Sequence, residues 1–221
     1  ILYAKQKINE LVEEAKFTTK IMSFILIVPF AGFIAFGNNF YTLWQPTKGP
    51  EEIQLIQIMS VLTCITFLCA SQTQSLMMLN TVCNKLKLPV FVNLGIGLGS
   101  LIIVLIAVNA TDLGVYFIAG TSSILMGLRS LFFNPIYAAH ILGRKKTTFY
   151  PAIIRGWITF AIVLIIFIIA SNIFTVNSWI SFIPVCLIFG IIGYALSLPL
   201  LFRKDELIKL KNKVTKKLKR R

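Results

Sequence analysis

Apolar stretches long enough to cross a lipid bilayer dominate this chain and recur six times along its 221 residues. A helix of about 20 apolar residues spans the hydrocarbon core of a membrane. Strands of a membrane barrel are shorter and alternate between apolar and polar residues, and neither property holds here. The sequence therefore predicts an all-α, polytopic membrane helix bundle of six transmembrane helices, over residues 20–37, 53–80, 88–109, 113–139, 152–171 and 179–202.

Two polar segments flank the predicted six-helix domain of residues 20–202. In residues 1–19 the apolar side chains, among them Ile8, Leu11 and Val12, share one helical face and the charges occupy the other. This pattern is typical of an amphipathic helix that lies at the membrane surface or links two segments. Residues 203–221 carry ten Lys and Arg and are predicted to form a basic tail.

The distribution of positive charge predicts the orientation of the helices. Of the 22 Lys and Arg residues, 20 lie before the first span, after the last span or in the loops on the same side. Lys48 lies in a loop on the opposite side, and Arg129 lies inside the fourth span. Because cations are retained on the inner side, we expect a multi-pass protein of the cell membrane with both ends cytoplasmic. Topology and contact with anionic lipid then explain the net charge of +14, and nucleic acid is not an expected partner.

Residues suited to catalysis or metal binding are few. The four cysteines lie in or beside apolar runs, which favours reduced packing residues over zinc ligands. His140 is the single histidine, so a histidine metal cluster or a catalytic triad is not expected. The sequence contains no phosphate-binding loop and no nucleophile elbow. We therefore expect neither an enzyme nor a bound cofactor.

Two of the predicted spans carry polar stripes. In the second span Thr66, Thr73 and Asn80 are spaced by heptads, and Asn84 follows. At about 100° per residue, most polar side chains of the fourth span share less than half of its circumference; they are Ser122, Ser123, Arg129, Ser130, Asn134, Tyr137 and His140. Polar stripes on membrane helices face protein or a water-filled cavity rather than lipid.

Arg129 lies inside a predicted span, and no acid in the chain is placed to pair with it. Asp112, for example, lies about 25 Å away along the helix. Burying an unpaired cation there costs at least about 2.5–3.5 kcal/mol on insertion scales. Two structural explanations stay open, which are snorkelling toward the cytoplasm and pairing with an acid in sequence beyond this chain. The functional hypothesis is that Arg129 faces a cavity and binds an anion such as a phosphate or pyrophosphate.

Prolines inside the spans are candidate hinges. Pro135 follows Asn134 one turn after Arg129, and this pair is predicted to break the helix because proline removes a backbone hydrogen bond. Pro29 lies inside the first span. A tolerated kink is the alternative explanation at both positions.

Three stretches resemble one family of membrane transporters. They are KIMSFILIVPFAGFIAFGNNFYTLWQP (residues 20–46), LNTVCNKLKLPVFVNLGIG (residues 79–97) and RSLFFNPIYAAHILG (residues 129–143). Their order and spacing resemble the C-terminal six-helix half of the polysaccharide transporter (Wzx-like repeat-unit flippase) family, a branch of the multidrug/oligosaccharidyl-lipid/polysaccharide flippase superfamily.

The resemblance implies one lobe of a 12- to 14-helix transporter. Such proteins flip undecaprenyl-pyrophosphate-linked oligosaccharides across the membrane by alternating access, for capsule, exopolysaccharide or O-antigen synthesis. A cavity is then expected in which Arg129 meets the pyrophosphate. The hydrogen-bonding candidates in that cavity are Thr73, Asn80, Asn84, Asn134 and Tyr137.

The expected partners follow from the same resemblance. They are membrane lipid, the lipid-linked glycan and a polysaccharide polymerase. One lobe cannot alternate access alone, and the chain starts at Ile1 rather than Met. We therefore also expect an N-terminal lobe in a longer parent chain.

Three alternative functions stay open. A multidrug exporter of the same superfamily would favour an acidic residue in the cavity, and no such residue is evident. A membrane enzyme that builds polysaccharide would need catalytic groups on large loops, whereas the outer loops here are short. The third alternative is a non-catalytic membrane subunit of a polysaccharide-assembly complex.

Overall fold

The computed structural model describes residues 2–110, 114–174 and 176–208, and only the backbone of residues 114–119. Asp112 and the basic tail from residue 209 onward lie outside the described residues. Among the described residues there is no strand, so the prediction of an all-α chain is confirmed. The elements are α1 (Ile8–Trp44), α2 (Pro50–Val82), α3 (Lys87–Ala110), α4 (Gly114–Leu128), a π-helical segment (Arg129–Phe133), α5 (Asn134–Ile141), α6 (Tyr150–Ile173) and α7 (Trp179–Leu201).

Five helices are long and apolar enough to cross a membrane, which makes the chain a multi-pass membrane protein. They are α1, α2, α3, α6 and α7. The fourth predicted span, residues 113–139, is divided among α4, the π-helical segment and α5. Neither α4 nor α5 alone has the length of a span, so the structure supports five of the six predicted spans by length.

Helix α1 joins two segments that were predicted to be separate. It runs unbroken from Ile8 to Trp44, a length of about 55 Å, whereas the hydrocarbon core is about 30 Å thick. No Gly or Pro occurs before Pro29 to end the amphipathic part. Val12 and Ala15 are buried in the same apolar cluster as residues of α2 and α5. The amphipathic face therefore packs on the bundle.

The helix break predicted at Asn134 and Pro135 is wrong. Asn134 has helical angles, φ −58° and ψ −49°, and its amide donates to the Arg129 carbonyl five residues earlier. The wider π turn precedes the proline, which then occupies the first turn of α5. A first-turn proline fits because its fixed φ is already helical. The chain thus keeps helical geometry through this region.

Two tyrosines from neighbouring helices complete the hydrogen bonding around the intramembrane prolines. A proline inside a helix leaves the carbonyl four residues earlier without its usual donor. Four residues before Pro29 is Ile25, whose carbonyl accepts from the Tyr194 hydroxyl of α7 at 3.0 Å. Four residues before Pro135 is Leu131, whose carbonyl accepts from the Tyr150 hydroxyl of α6 at 3.1 Å. Each of these two carbonyls therefore receives its hydrogen bond from a second helix.

Helix α1 is the centre of the packing. It contacts α2, α6 and α7, while α2 contacts α4 and α5, and α3 packs on α4. Helix α3 buries only Pro89, Ser100 and Ala107. Its remaining surface is mostly apolar and exposed, as expected for a face in contact with lipid.

A glycine allows α7 to approach α1 and α6 closely. A Cβ atom at Gly193 would lie 2.8 Å from the Phe167 ring and 3.0 Å from a Val28 methyl carbon. Both neighbours are themselves buried, so they have little room to move. On the same helix, a Cβ at Gly190 would meet nothing within 4 Å.

The end of the bundle that carries most of the loop cations is called the basic end here. It includes the α2–α3 loop with Lys85 and the α5–α6 loop with Lys145. A partly buried ion pair joins α1 to the segment after α7, with the Lys20 ammonium 2.5 Å from the Glu206 carboxylate. Partial burial raises the pKa of the Glu206 carboxyl, but hydrogen bonds from the Arg203 amide and Lys20 outweigh burial and lower its pKa overall.

Candidate substrate-binding cleft

The heptad stripe of α2 forms a polar seam with α4 and α5. The Thr66 hydroxyl donates to the Ser123 carbonyl at 3.1 Å. One heptad further, the Asn134 side-chain amide donates to the Thr73 hydroxyl at 3.1 Å. Asn80, the next residue of the stripe, is buried, and its side-chain oxygen has no partner among the described residues. The predicted stripe therefore faces protein, as polar residues in a membrane helix should.

Arg129 opens the π-helical segment and lies beside the same seam. One terminal nitrogen of its guanidinium is 3.9 Å from the Met77 sulfur on α2, and its buried Nε atom has no acceptor among the described residues. The side chain is half-buried. None of the ion pairs among the described residues includes Arg129. The cation thus has unused hydrogen-bonding capacity within the membrane-spanning part of the bundle.

Tyr137 connects the seam to the basic end. Its hydroxyl donates to the Lys85 carbonyl in the α2–α3 loop at 3.1 Å, and its ring stacks on Phe133 with centroids 5.3 Å apart. The side chain is half-buried, so part of it is open to the surroundings. Its hydroxyl already makes a structural contact, and a ligand at this point would have to share it.

Asn84 has a structural role in the backbone, where it ends α2. Its φ of 52° lies in the left-handed region, which asparagine tolerates better than most residues. The Asn84 amide donates to the Thr81 carbonyl, and the Lys85 amide donates to the Asn80 carbonyl. This pair of bonds is a Schellman motif that ends α2. The Asn84 side chain is exposed at the basic end.

The six predicted binding residues lie along the seam and its basic end and differ in exposure. Thr73 and Asn134 are bonded to each other and are 0% and 2% exposed, which leaves them unavailable to a ligand in this conformation. Asn80 is also buried. Arg129 and Tyr137 remain partly open, and Asn84, the sixth residue, is exposed. The accessible residues of the predicted site are therefore Arg129, Tyr137 and Asn84.

A second stripe on α2 was not predicted as a unit. Its residues are Phe67, Gln74 and Thr81, which are exposed. Each directly follows a residue of the heptad stripe of α2. Gln74 and Thr81 are polar side chains on a membrane-spanning helix, where exposure to hydrocarbon is unfavourable. The repeated seven-residue spacing, shifted by one position, was the signal that could have revealed this open face.

Pro29 lies away from the seam. It lines an aromatic cavity of about 340 Å³ between α1, α6 and α7, together with Phe33, Phe167 and Phe189. The two predicted hinge prolines therefore belong to different parts of the bundle. A hinge at either proline stays a prediction.

Comparison with protein-family models, curated proteins and solved structures finds no match to this chain. Within the described residues no group of three or more His, Cys, Asp or Glu side chains is close enough to hold a metal ion. What the cleft can do chemically therefore has to be inferred from its own residues.

Proposed function

We propose that this chain forms one six-helix lobe of a membrane transporter that flips undecaprenyl-pyrophosphate-linked oligosaccharides across the cell membrane. The sixth crossing would be the continuous helical run of α4, the π-helical segment and α5. Both ends of the chain would be cytoplasmic, which puts the basic end on the inner side. The three motif resemblances and the geometry around Arg129 support this function.

The observation that carries the proposal is the unpaired Arg129. Its guanidinium lies beside Met77 of α2, a helix long enough to span a membrane; among the described residues its Nε atom has no acceptor and no ion pair neutralises it. A planar guanidinium binds phosphate oxygens through paired N–H donors. A pyrophosphate group entering the cleft would supply both the missing acceptors and the missing negative charge.

The exposed stripe of α2 supports a second lobe. Phe67, Gln74 and Thr81 face away from the helices of this lobe, so they are available to line a shared cavity. In alternating-access transporters the substrate site lies between two such units. We infer that a second six-helix lobe completes the cavity, and that Gln74 contributes amide contacts to its wall.

The test is to locate the lipid-linked glycan in a strain that lacks the gene encoding this chain. We expect completed undecaprenyl-pyrophosphate oligosaccharide to accumulate in the cytoplasmic leaflet, and the wild-type gene to restore export. Normal glycan export without accumulation would refute the flippase function and favour a drug exporter or a non-catalytic subunit.

Variants of Arg129 then test the anion-binding role. Arg129→Gln should lower glycan export by about tenfold or more, because one charge-assisted contact to phosphate is worth about 1.5–3 kcal/mol. Arg155→Gln on α6 is the matched control, since it removes the same charge outside the seam and should leave export within about twofold. Normal export by stably inserted Arg129→Gln protein would rule out this role.

A further inference from the structure

Four lysines at the basic end form an exposed charged surface, which we call the basic rim. Lys85 lies in the α2–α3 loop, Lys87 is the first residue of α3, and Lys145 and Lys146 lie in the α5–α6 loop. All four are exposed, and none takes part in an ion pair among the described residues. The rim therefore presents positive charge that no ion pair among the described residues neutralises.

The two loops of the basic rim are held together at the mouth of the seam. The Tyr137 hydroxyl bonds to the Lys85 carbonyl, so α5 supports the α2–α3 loop. Helix α5 ends in the same motif as α2, with Gly143 at φ 63° and the Arg144 amide bonded to the Ala139 carbonyl. Because backbone amides already satisfy both helix ends, the lysine side chains are not needed as caps.

Apolar side chains alternate with the lysines of the α2–α3 connection. Leu86, between Lys85 and Lys87, is 44% exposed, and Leu88, directly after Lys87, is 49% exposed. The exposed apolar surface continues along α3 through Phe91, Leu94 and Leu98. Cations at the start of a bare apolar face match a molecule with a negatively charged head and a long hydrocarbon tail.

We infer that the basic rim and the exposed face of α3 form a loading site for an isoprenoid lipid that carries a pyrophosphate head. This inference rests on the proposed function and adds a first contact, before the head reaches Arg129. The pyrophosphate would bind the rim lysines, and the isoprenoid chain would lie along α3. Lys85 and Lys87, two residues apart, suit the doubled charge of a pyrophosphate better than the single charge of an ordinary phosphodiester headgroup.

The test measures lipid binding to the purified full chain by native mass spectrometry in detergent. The probe is geranylgeranyl pyrophosphate, with geranylgeranyl monophosphate and phosphatidylglycerol as comparison lipids. Lys85→Gln combined with Lys87→Gln should weaken binding of the pyrophosphate lipid by about 10- to 30-fold, because each lysine near an anionic headgroup contributes about a factor of five. Binding of phosphatidylglycerol should fall by about fivefold or less, because its single charge engages about one lysine.

A matched control removes the same charge elsewhere at the basic end. Lys5 and Lys204 are exposed and lie outside the two loops of the basic rim, so Lys5→Gln combined with Lys204→Gln should change binding less than about twofold. Equal losses for the control and rim variants would overturn the inference. Equal losses for the pyrophosphate lipid and phosphatidylglycerol would also overturn it, in favour of a general anionic-lipid surface.

Arg129→Gln separates failure of this inference from failure of the proposed function. The rim variant is Lys85→Gln combined with Lys87→Gln, and the quantity compared is binding of geranylgeranyl pyrophosphate. If Arg129→Gln weakens this binding and the rim variant leaves it unchanged, the loading site is overturned and the flippase function stands. Weaker binding in the rim variant alone supports the loading site and counts against the role of Arg129. Unchanged binding in both variants overturns both, and weaker binding in both supports both.

Discussion

The hydrogen bond from Tyr194 to the Ile25 carbonyl should stabilise the bundle only because Pro29 lies four residues further along α1. Tyr194→Phe removes the hydroxyl and keeps the ring, so it leaves that carbonyl without a donor. Pro29→Ala restores an amide that can donate to the same carbonyl. The two substitutions should therefore be coupled, and a double-mutant cycle measures the coupling.

The magnitude follows from the loss of one hydrogen bond in a membrane protein. Such bonds contribute about 0.6 kcal/mol on average and at most about 1.7 kcal/mol. An orphaned carbonyl without access to water moves the expected cost of Tyr194→Phe toward the upper part of that range, to about 1 kcal/mol. In the Pro29→Ala background the same substitution should cost about 0.3 kcal/mol or less, since the carbonyl then has its own amide.

The assay is reversible unfolding of the purified protein in bicelles by titration with a denaturing detergent, followed by helicity. Ile25 itself stays unchanged in all four proteins, so the apolar contacts around it are preserved. Equal destabilisation by Tyr194→Phe in both backgrounds would refute the reasoning. That result would mean that the hydroxyl stabilises the bundle independently of the proline.

Two further predictions concern packing and pH. Gly193→Ala should destabilise the bundle by about 1–3 kcal/mol through overpacking. Gly190→Ala on the same helix should be neutral or slightly stabilising. Similar melting temperatures for the two variants would contradict the close approach of α7 to α1 and α6 at Gly193. The lowered pKa of Glu206 means that its ion pair with Lys20 stabilises the fold at a pH above the ordinary carboxyl pKa, and that this stability is lost as the pH falls through the lowered value. Glu206→Gln should therefore flatten the decline in melting temperature below about pH 4.5. The same dependence of melting temperature on pH in this variant and the wild type would disprove the contribution of the ion pair.

The long apolar stretches made the helical, membrane-spanning class predictable. The heptad of Thr66, Thr73 and Asn80 was also readable, because two turns of a regular helix bring every seventh residue to one side. Those side chains face α4 and α5 as a stripe of this kind should. Regular helix geometry is the reason that this part of the site could be predicted.

The polar sector predicted for the fourth span depended on an unbroken α-helix. The π-helical segment Arg129–Phe133 adds a residue to one turn, which rotates everything after it by about 100° relative to what precedes it. Ser122 bonds to Ser100 on α3, whereas Asn134 bonds to α2. No local signal distinguishes five residues in a π turn from five in an α turn. The tertiary contacts of Asn134 and of the Leu131 carbonyl accompany the wider turn, and these contacts join distant parts of the sequence.

The length of α1 means that a small tilt of this helix would cause a larger displacement at its end. About 25 Å of this helix extends beyond the thickness of the hydrocarbon core. That protruding length bonds to the α5–α6 loop through Asn9 and to the segment after α7 through Lys20. A rigid tilt of about 10° within the membrane would move the protruding end by about 4 Å and carry both attached segments with it. A small rotation among lipid chains would thus become a displacement as large as a phosphate group at the aqueous surface.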